Sequence, residues 1–291
     1  MVGIIREGRK MCGCSRVGKS ELDAKKLVYE VLAKKSIFYN LEVWTNLRKK
    51  DFAKLQSIEG QVIRGLFGLP KTTPYWGIIH ELGILPIILT LTYRKLMLYH
   101  NLINSDDERL AKVLVEAQEE SEIQECWYAE VKKEAKEIGI ELKREIVKGK
   151  LKSTWKREVK EKIKGAEEKL LAEKREESTK MRFLESKGWE TYLKEESNEE
   201  ARMALKIRLN CVEWIDGNVG KESPCPLCKE EMDTTEHVFA CKEGGEKKVT
   251  VKDLEKGEKM GNVVELFRQN EEKRRTLLKN ELEIKMAIIE L

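Results

Sequence analysis

The sequence predicts a mainly α protein on three observations. Its 291 residues contain five prolines (Pro70, Pro74, Pro86, Pro224 and Pro226), so 87–223 contain none. Charged residues make up 37%, against roughly 25% in an ordinary globular chain, and most are Glu and Lys, which favour helix. Apolar residues return at three- and four-residue steps over most of the length instead of alternating.

Taken in order, residues 1–20 show no periodicity and are expected to lack stable structure. Helical spacing begins over Leu22–Leu32. The β-branched and aromatic run SIFYNLEVW (36–44) fits either a short strand or a continued helix. Phe52, Leu55, Val62, Ile63 and Leu66 mark a helix over 51–69, stopped by Gly68, Pro70 and Pro74. WGIIHELGILPI (76–87) predicts a short helix and a turn. Ile87–Asn104 predicts an apolar helix ending at NSDDER, whose Asn, Ser and Asp residues suit the cap of the next one. Amphipathic helices follow Glu108, with one stripe through Trp155, Val159, Ile163, Ala166 and Leu170. Gly217, Gly220, Pro224 and Pro226 punctuate the chain, and 263–291 is again helical in pattern. The expected regions are an unstructured 1–20, an apolar helical 21–107, a charged amphipathic 108–215, a small module at 216–245 and a helical tail at 246–291.

Composition excludes several classes. The longest uncharged apolar run, Leu82–Tyr93, ends at Arg94, short of the roughly 20 residues of a membrane span. MVGIIREGRK lacks an apolar stretch followed by a small-residue cleavage site, so secretion is not expected. Seven cysteines, an odd number spread over a long chain, argue for a reducing compartment, so an intracellular location in nucleus or cytoplasm is expected.

The net charge of +4 is unevenly distributed. Residues 116–125 (EAQEESEIQE) are acidic, whereas 141–165 carry ten Lys/Arg against four Glu, with Trp155 among them. Were 141–165 one helix, Lys148, Lys152, Lys156 and Lys160 would form an outward stripe beside inward Trp155, Val159 and Ile163. Such a row can reach successive phosphates of RNA or DNA. The alternative is a solvated face laced with Glu–Lys pairs.

The sharpest local signal is PCPLCKEEMDTTEHVFAC, spaced Cys225-x2-Cys228-x8-His237-x3-Cys241. A tight turn places two thiolates on one cation, and a His and a Cys one helical turn apart complete a tetrahedron. Three thiolates and an imidazole leave no open position, so a structural Zn2+ is expected. Thr234 or Thr235 suits the cap of the helix carrying His237 and Cys241. The whole is thus expected to be a helical connector with a small zinc-stapled module near the C-terminus.

Other candidates are weaker. Gly13–Ser20 satisfies the phosphate-loop pattern G-x4-G-K-S, but polar REGRKMC precedes it where a buried strand is required. Cys12 and Cys14 are expected to be free thiols, Cys126 and Cys211 core residues, and His80 and His100 buried in apolar helices. Asp106-Asp107 sits in a helix-cap context, unsuited to a two-metal site.

Together IFYNLEVWTNL (37–47), LQSIEGQVIRGLFGLPKTTPYWGIIHELGILPI (55–87), KLMLYHNLINSDDERLAK (95–112), KIRLNCVEW (206–214) and the Cys/His segment resemble the region downstream of the polymerase core in reverse transcriptases of non-LTR retrotransposons. The resemblance covers about residues 22–245 and keeps the family's order. It implies that 21–107 is thumb-like, 108–215 a helical connector and 216–245 a Cys-Cys-His-Cys zinc module of the longer-looped, polymerase-associated kind. The family's aromatic-x-Asp-Asp hairpin and its endonuclease residues do not occur in this sequence. The expectation is therefore a non-catalytic C-terminal fragment of such an enzyme. It is expected to bind RNA or DNA without strong sequence preference, with no membrane and no small-molecule substrate as partner. The alternative is a structural or protein-interaction module whose zinc only staples the fold.

Overall fold

A computed structural model describes residues 21–121, 123, 125–178, 181–185, 198–212, 224–246 and 249–289. The described residues are overwhelmingly helical, as expected, and the one β-bridge among them pairs Pro224 with Met232. The chain forms two compact units. Among the described residues, one comprises those up to Glu30, Gln61–Gly83 and those from Arg175 onward; the other comprises those of Val31–Gly60 and Ile84–Lys174.

The first helical stretch is α1 (Glu21–Val28), a π-turn at Tyr29–Ala33 and α2 (Lys34–Ile37). The 36–44 run therefore continues the helix and then turns at Asn40 (φ 56°) into a 3-10 turn, Leu41–Val43; the strand alternative is not taken. Next come α3 (Lys49–Phe67), α4 (Tyr75–Leu82) and α5 (Ile87–Ile103), close to the predicted spans.

The central unit is built on α5, α6 (Leu110–Glu120), α7 (Trp127–Glu137), the short α8 (Arg144–Val147) and α9 (Lys152–Glu176). Its core joins Leu96, Tyr99 and Ile103 of α5 to Val131 and Ala135 of α7 and to Trp155, Val159 and Ile163 of α9. Full burial of such side chains contributes roughly 1.5–3 kcal/mol each. Trp155 has no solvent exposure, and its indole N–H donates to the Leu96 carbonyl at 3.1 Å. Lys95, also fully buried, is held by Glu130 and Glu134 of α7 at 2.6 Å each, as a buried cation requires. His100 is buried with Nε2 2.9 Å from the Lys150 carbonyl.

Two local expectations are corrected here. Residues 141–165 are not one helix: α8 ends at Val147, Gly149 adopts φ 79°, and α9 starts at Lys152. A left-handed conformation that glycine takes without steric cost turns the chain at that point. The NSDDER residues do not cap α6 with a side chain either. Its N-cap is Arg109, and Asp107 instead accepts from the buried Lys112 ammonium at 2.6 Å.

The other unit packs α4 and α10 (Asn198–Arg208) with α11 (Thr235–Ala240), α12 (Val251–Lys256) and the long α13 (Met260–Ile289). Ile78, Ile79, Leu82, Ala204, Leu205, Val263 and Phe267 are buried, and Phe239 meets Phe267 edge-on at 5.7 Å. His80 is buried in α4, as predicted. Arg208 and Glu81, both without exposure, form a two-pronged pair at 2.6 and 3.1 Å, and Arg208 also donates to the Leu254 carbonyl.

No single described helix is long and apolar enough to cross a membrane; α4 and α5 qualify only as a bent pair.

Candidate metal centre and candidate nucleic-acid interface

The segment from Pro224 to Cys241 is a knuckle followed by one short helix. The Pro224–Met232 bridge closes the knuckle, where Cys225 N donates to the Glu231 carbonyl at 2.7 Å and Lys229 N to the Cys225 carbonyl at 2.8 Å. That turn brings the Cys225 and Cys228 thiols to one side. Thr234 then caps α11, its hydroxyl accepting from His237 N at 3.1 Å, as the sequence predicted. Cys241 ends α11 with its N–H on the His237 carbonyl, and so lies one turn beyond the imidazole.

These elements bring all four predicted ligands together. One ligand atom from each of Cys225, Cys228, His237 and Cys241 lies within 4.8 Å of every other. Cys225 Sγ and Cys241 Sγ are 3.9 Å apart, and Cys228 Sγ is 3.3 Å from His237 Nε2. A tetrahedral ion with metal–sulfur bonds near 2.3 Å and metal–nitrogen bonds near 2.0 Å requires edges of about 3.8 and 3.5 Å. The cluster can hold a metal ion.

Its surroundings suit the same task. His237 Nδ1 lies 2.8 Å from Glu231 Oε2, which orients the ring and leaves Nε2 toward the cysteines. The backbone N–H groups of Glu230 and Glu231 hold the Cys228 thiol down at about 7. Burial pushes the Cys241 thiol up to about 11. From α13, the buried Arg274 grips Asp233 at 2.7 and 2.5 Å and places Nη2 3.9 Å from Cys225 Sγ. Beyond Cys241, Lys273 donates to the Glu243 and Gly244 carbonyls. A β-carbon on Gly245 would stand 2.9 Å from Gln269 Cβ, so only glycine permits that approach to α13.

Glu231, Asp233 and Arg274 were not among the sequence-predicted site residues. Glu231 lies between the two ligand pairs, where an outer-shell acceptor for the histidine could have been sought. Arg274 is 49 positions from Cys225, and nothing local announces it. Cys211 is buried, in keeping with a core role, and Cys126 caps α7, its Sγ accepting from Ala129 N. Gly13–Ser20, Cys12 and Cys14 lie outside the described residues.

The basic candidates divide. Lys152, Lys156 and Lys160 are exposed at successive four-residue steps of α9, and Lys164 extends the row. Each step rises about 6 Å. Lys148 stands apart, in the turn before α9, where its charge helps hold down the Asp107 carboxyl. Trp155, Val159 and Ile163 face inward, as predicted. Glu158, one of the four glutamates of 141–165, is taken by Lys150 at 2.8 Å. Lys164 reaches Glu168 at 4.0 Å, but among the described residues Lys152, Lys156 and Lys160 have no carboxylate in ion-pair range.

Comparison with known proteins returns no matching family model, no matching curated protein and no matching solved structure.

Proposed function

We propose that the protein is a non-catalytic nucleic-acid-binding module with a structural zinc, equivalent to the region downstream of the polymerase core in a non-LTR retrotransposon reverse transcriptase. The ordered sequence resemblance supports the family. Three thiolates and an imidazole in tetrahedral reach, with no position left for a reacting water, support Zn2+ in a structural role.

The observation that carries nucleic-acid binding is the row of lysines on α9. Three exposed cations, spaced about 6 Å apart and unclaimed by neighbouring carboxylates, are a phosphate-tracking surface. No base-reading residues are evident beside them among the described residues, so binding should tolerate sequence and depend steeply on salt. The alternative, a protein-interaction module, is favoured by one feature: Leu110, Val113 and Leu114 are exposed along α6.

Reversing Lys152, Lys156 and Lys160 to Glu together separates the two readings. Affinity for RNA and DNA should fall across all sequences, and the slope of log affinity against log salt should flatten by about two to three. Unchanged affinity and slope would overturn the nucleic-acid reading in favour of the interaction module.

A further inference from the structure

The lysine row is the ridge between two concavities. On one side lies a cleft of about 400 Å³ walled by Leu85, Tyr93 of α5 and Ile163 of α9, with Lys156, Lys160 and Lys164 on its rim. On the other lies a shallow, open depression of about 360 Å³ along α9 itself, with the same three lysines, Ser153, Arg157 and Glu161. The side chains between the lysines differ: one side offers an aromatic ring and two aliphatic side chains, the other a hydroxyl, a guanidinium and the Glu161 carboxylate. The first volume falls within the range of small-ligand sites.

A phosphate needs only the cations. An apolar, aromatic-walled cleft behind them suits a planar group attached to that phosphate. In a duplex the bases are stacked and paired and cannot leave the helix without cost, whereas a single strand offers them freely. We infer that the cleft takes one unpaired base of a single-stranded nucleic acid, stacked on Tyr93, while its backbone phosphates lie on Lys156 and Lys160 and follow the lysine row. The inference rests on the nucleic-acid reading and narrows it to single strands. With Glu167 in the cleft and Glu161 and Arg157 on the other side of the row, the surroundings stay net cationic, four cations against two carboxylates.

The test uses the full chain and fluorescence anisotropy with labelled oligouridylate, oligodeoxythymidylate and a duplex of equal length, over a salt series. Both single strands should bind more tightly than the duplex. Tyr93→Leu should weaken single-strand binding about tenfold and leave duplex binding unchanged, and Tyr93→Phe should retain the wild-type preference. Circular dichroism of each variant shows whether the fold is kept. A second readout needs no variant: a fluorescent adenine analogue within a bound strand should be quenched by stacking on the wild-type protein. No quenching, or equal affinity for single strand and duplex, would overturn the inference. Loss of binding in Lys156→Glu/Lys160→Glu with no effect of Tyr93→Leu would remove the cleft alone. Indifference to the lysine reversal would remove the nucleic-acid reading beneath it.

Discussion

Arg274 shows how much of the candidate metal centre depends on one side chain outside the Cys/His motif. Its guanidinium is buried, pairs with an Asp233 carboxylate that is 1% exposed, and faces the Cys225 sulfur. Three thiolates around a divalent ion carry a net negative charge, and a guanidinium beside one of them offsets it. Arg274→Met should therefore do two things. It strands the Asp233 carboxylate in the interior, costing about 3–5 kcal/mol, and it leaves Cys225 without its cation. Thermal unfolding should shift down, and the metal should be lost faster to a chelator than from wild type. Adding Asp233→Asn removes the stranded charge and should restore most of the stability without restoring metal retention. Full recovery of both would mean that Arg274 acts only through Asp233.

At the scale of elements, α12 carries a reciprocal cap. The Thr250 hydroxyl accepts from Asp253 N, and the Asp253 carboxylate accepts from Thr250 N at 2.8 Å. The Lys259 ammonium, then Thr250, hold the Asp253 carboxyl at about 2. An unfolded Asp titrates near 3.9. The folded state therefore favours the ionised form. This stability is complete above the unfolded value and is lost as pH falls from about 4 to 2. Asp253→Asn should cost about 0.5–2 kcal/mol at neutral pH and little at pH 2, flattening the acid limb of a stability profile. A constant difference across that range would assign the cost to packing.

The same scale shows what could be read from the chain. Helices over 49–67 and 87–103 were legible because apolar periodicity ends at Gly68, Pro70, Pro74 and Pro86. The break at 148–151 was not, because a lone glycine in a helical pattern is compatible with either outcome. Nor was the π-turn at Tyr29–Ala33, which no residue pattern marks. Of the candidate site, the four ligands and the Thr234 cap were legible because they are local. Asp233–Arg274 was not, since only folding brings α13 to the knuckle. Lys148 was misplaced for the reason the break was missed.

For the molecule as a whole, the two units differ in how they are stabilised. The central unit has an apolar core of aromatic and aliphatic side chains joined over α5, α7 and α9, and none of the four candidate ligands lies in it. The other unit contains all four ligands, and the chain between and just beyond them packs on α13 through Arg274, Phe267 and Lys273. Structural zinc contributes roughly 10–16 kcal/mol of apparent binding energy in small modules, and there that energy is folding energy. If the cluster holds such an ion, removing it should release the knuckle and α11, and with them the partners of α13. The purified chain should contain one zinc, and cobalt substitution should give thiolate charge-transfer bands that Cys225→Ser abolishes. After chelation, hydrogen exchange followed by mass spectrometry should show protection lost first in 224–246 and α13. Amides of α5, α7 and α9 should keep theirs, because their core holds no ligand. Loss of protection at one rate throughout would mean that the metal supports the whole chain as a single cooperative unit, and absence of bound metal after reconstitution would remove zinc from the account.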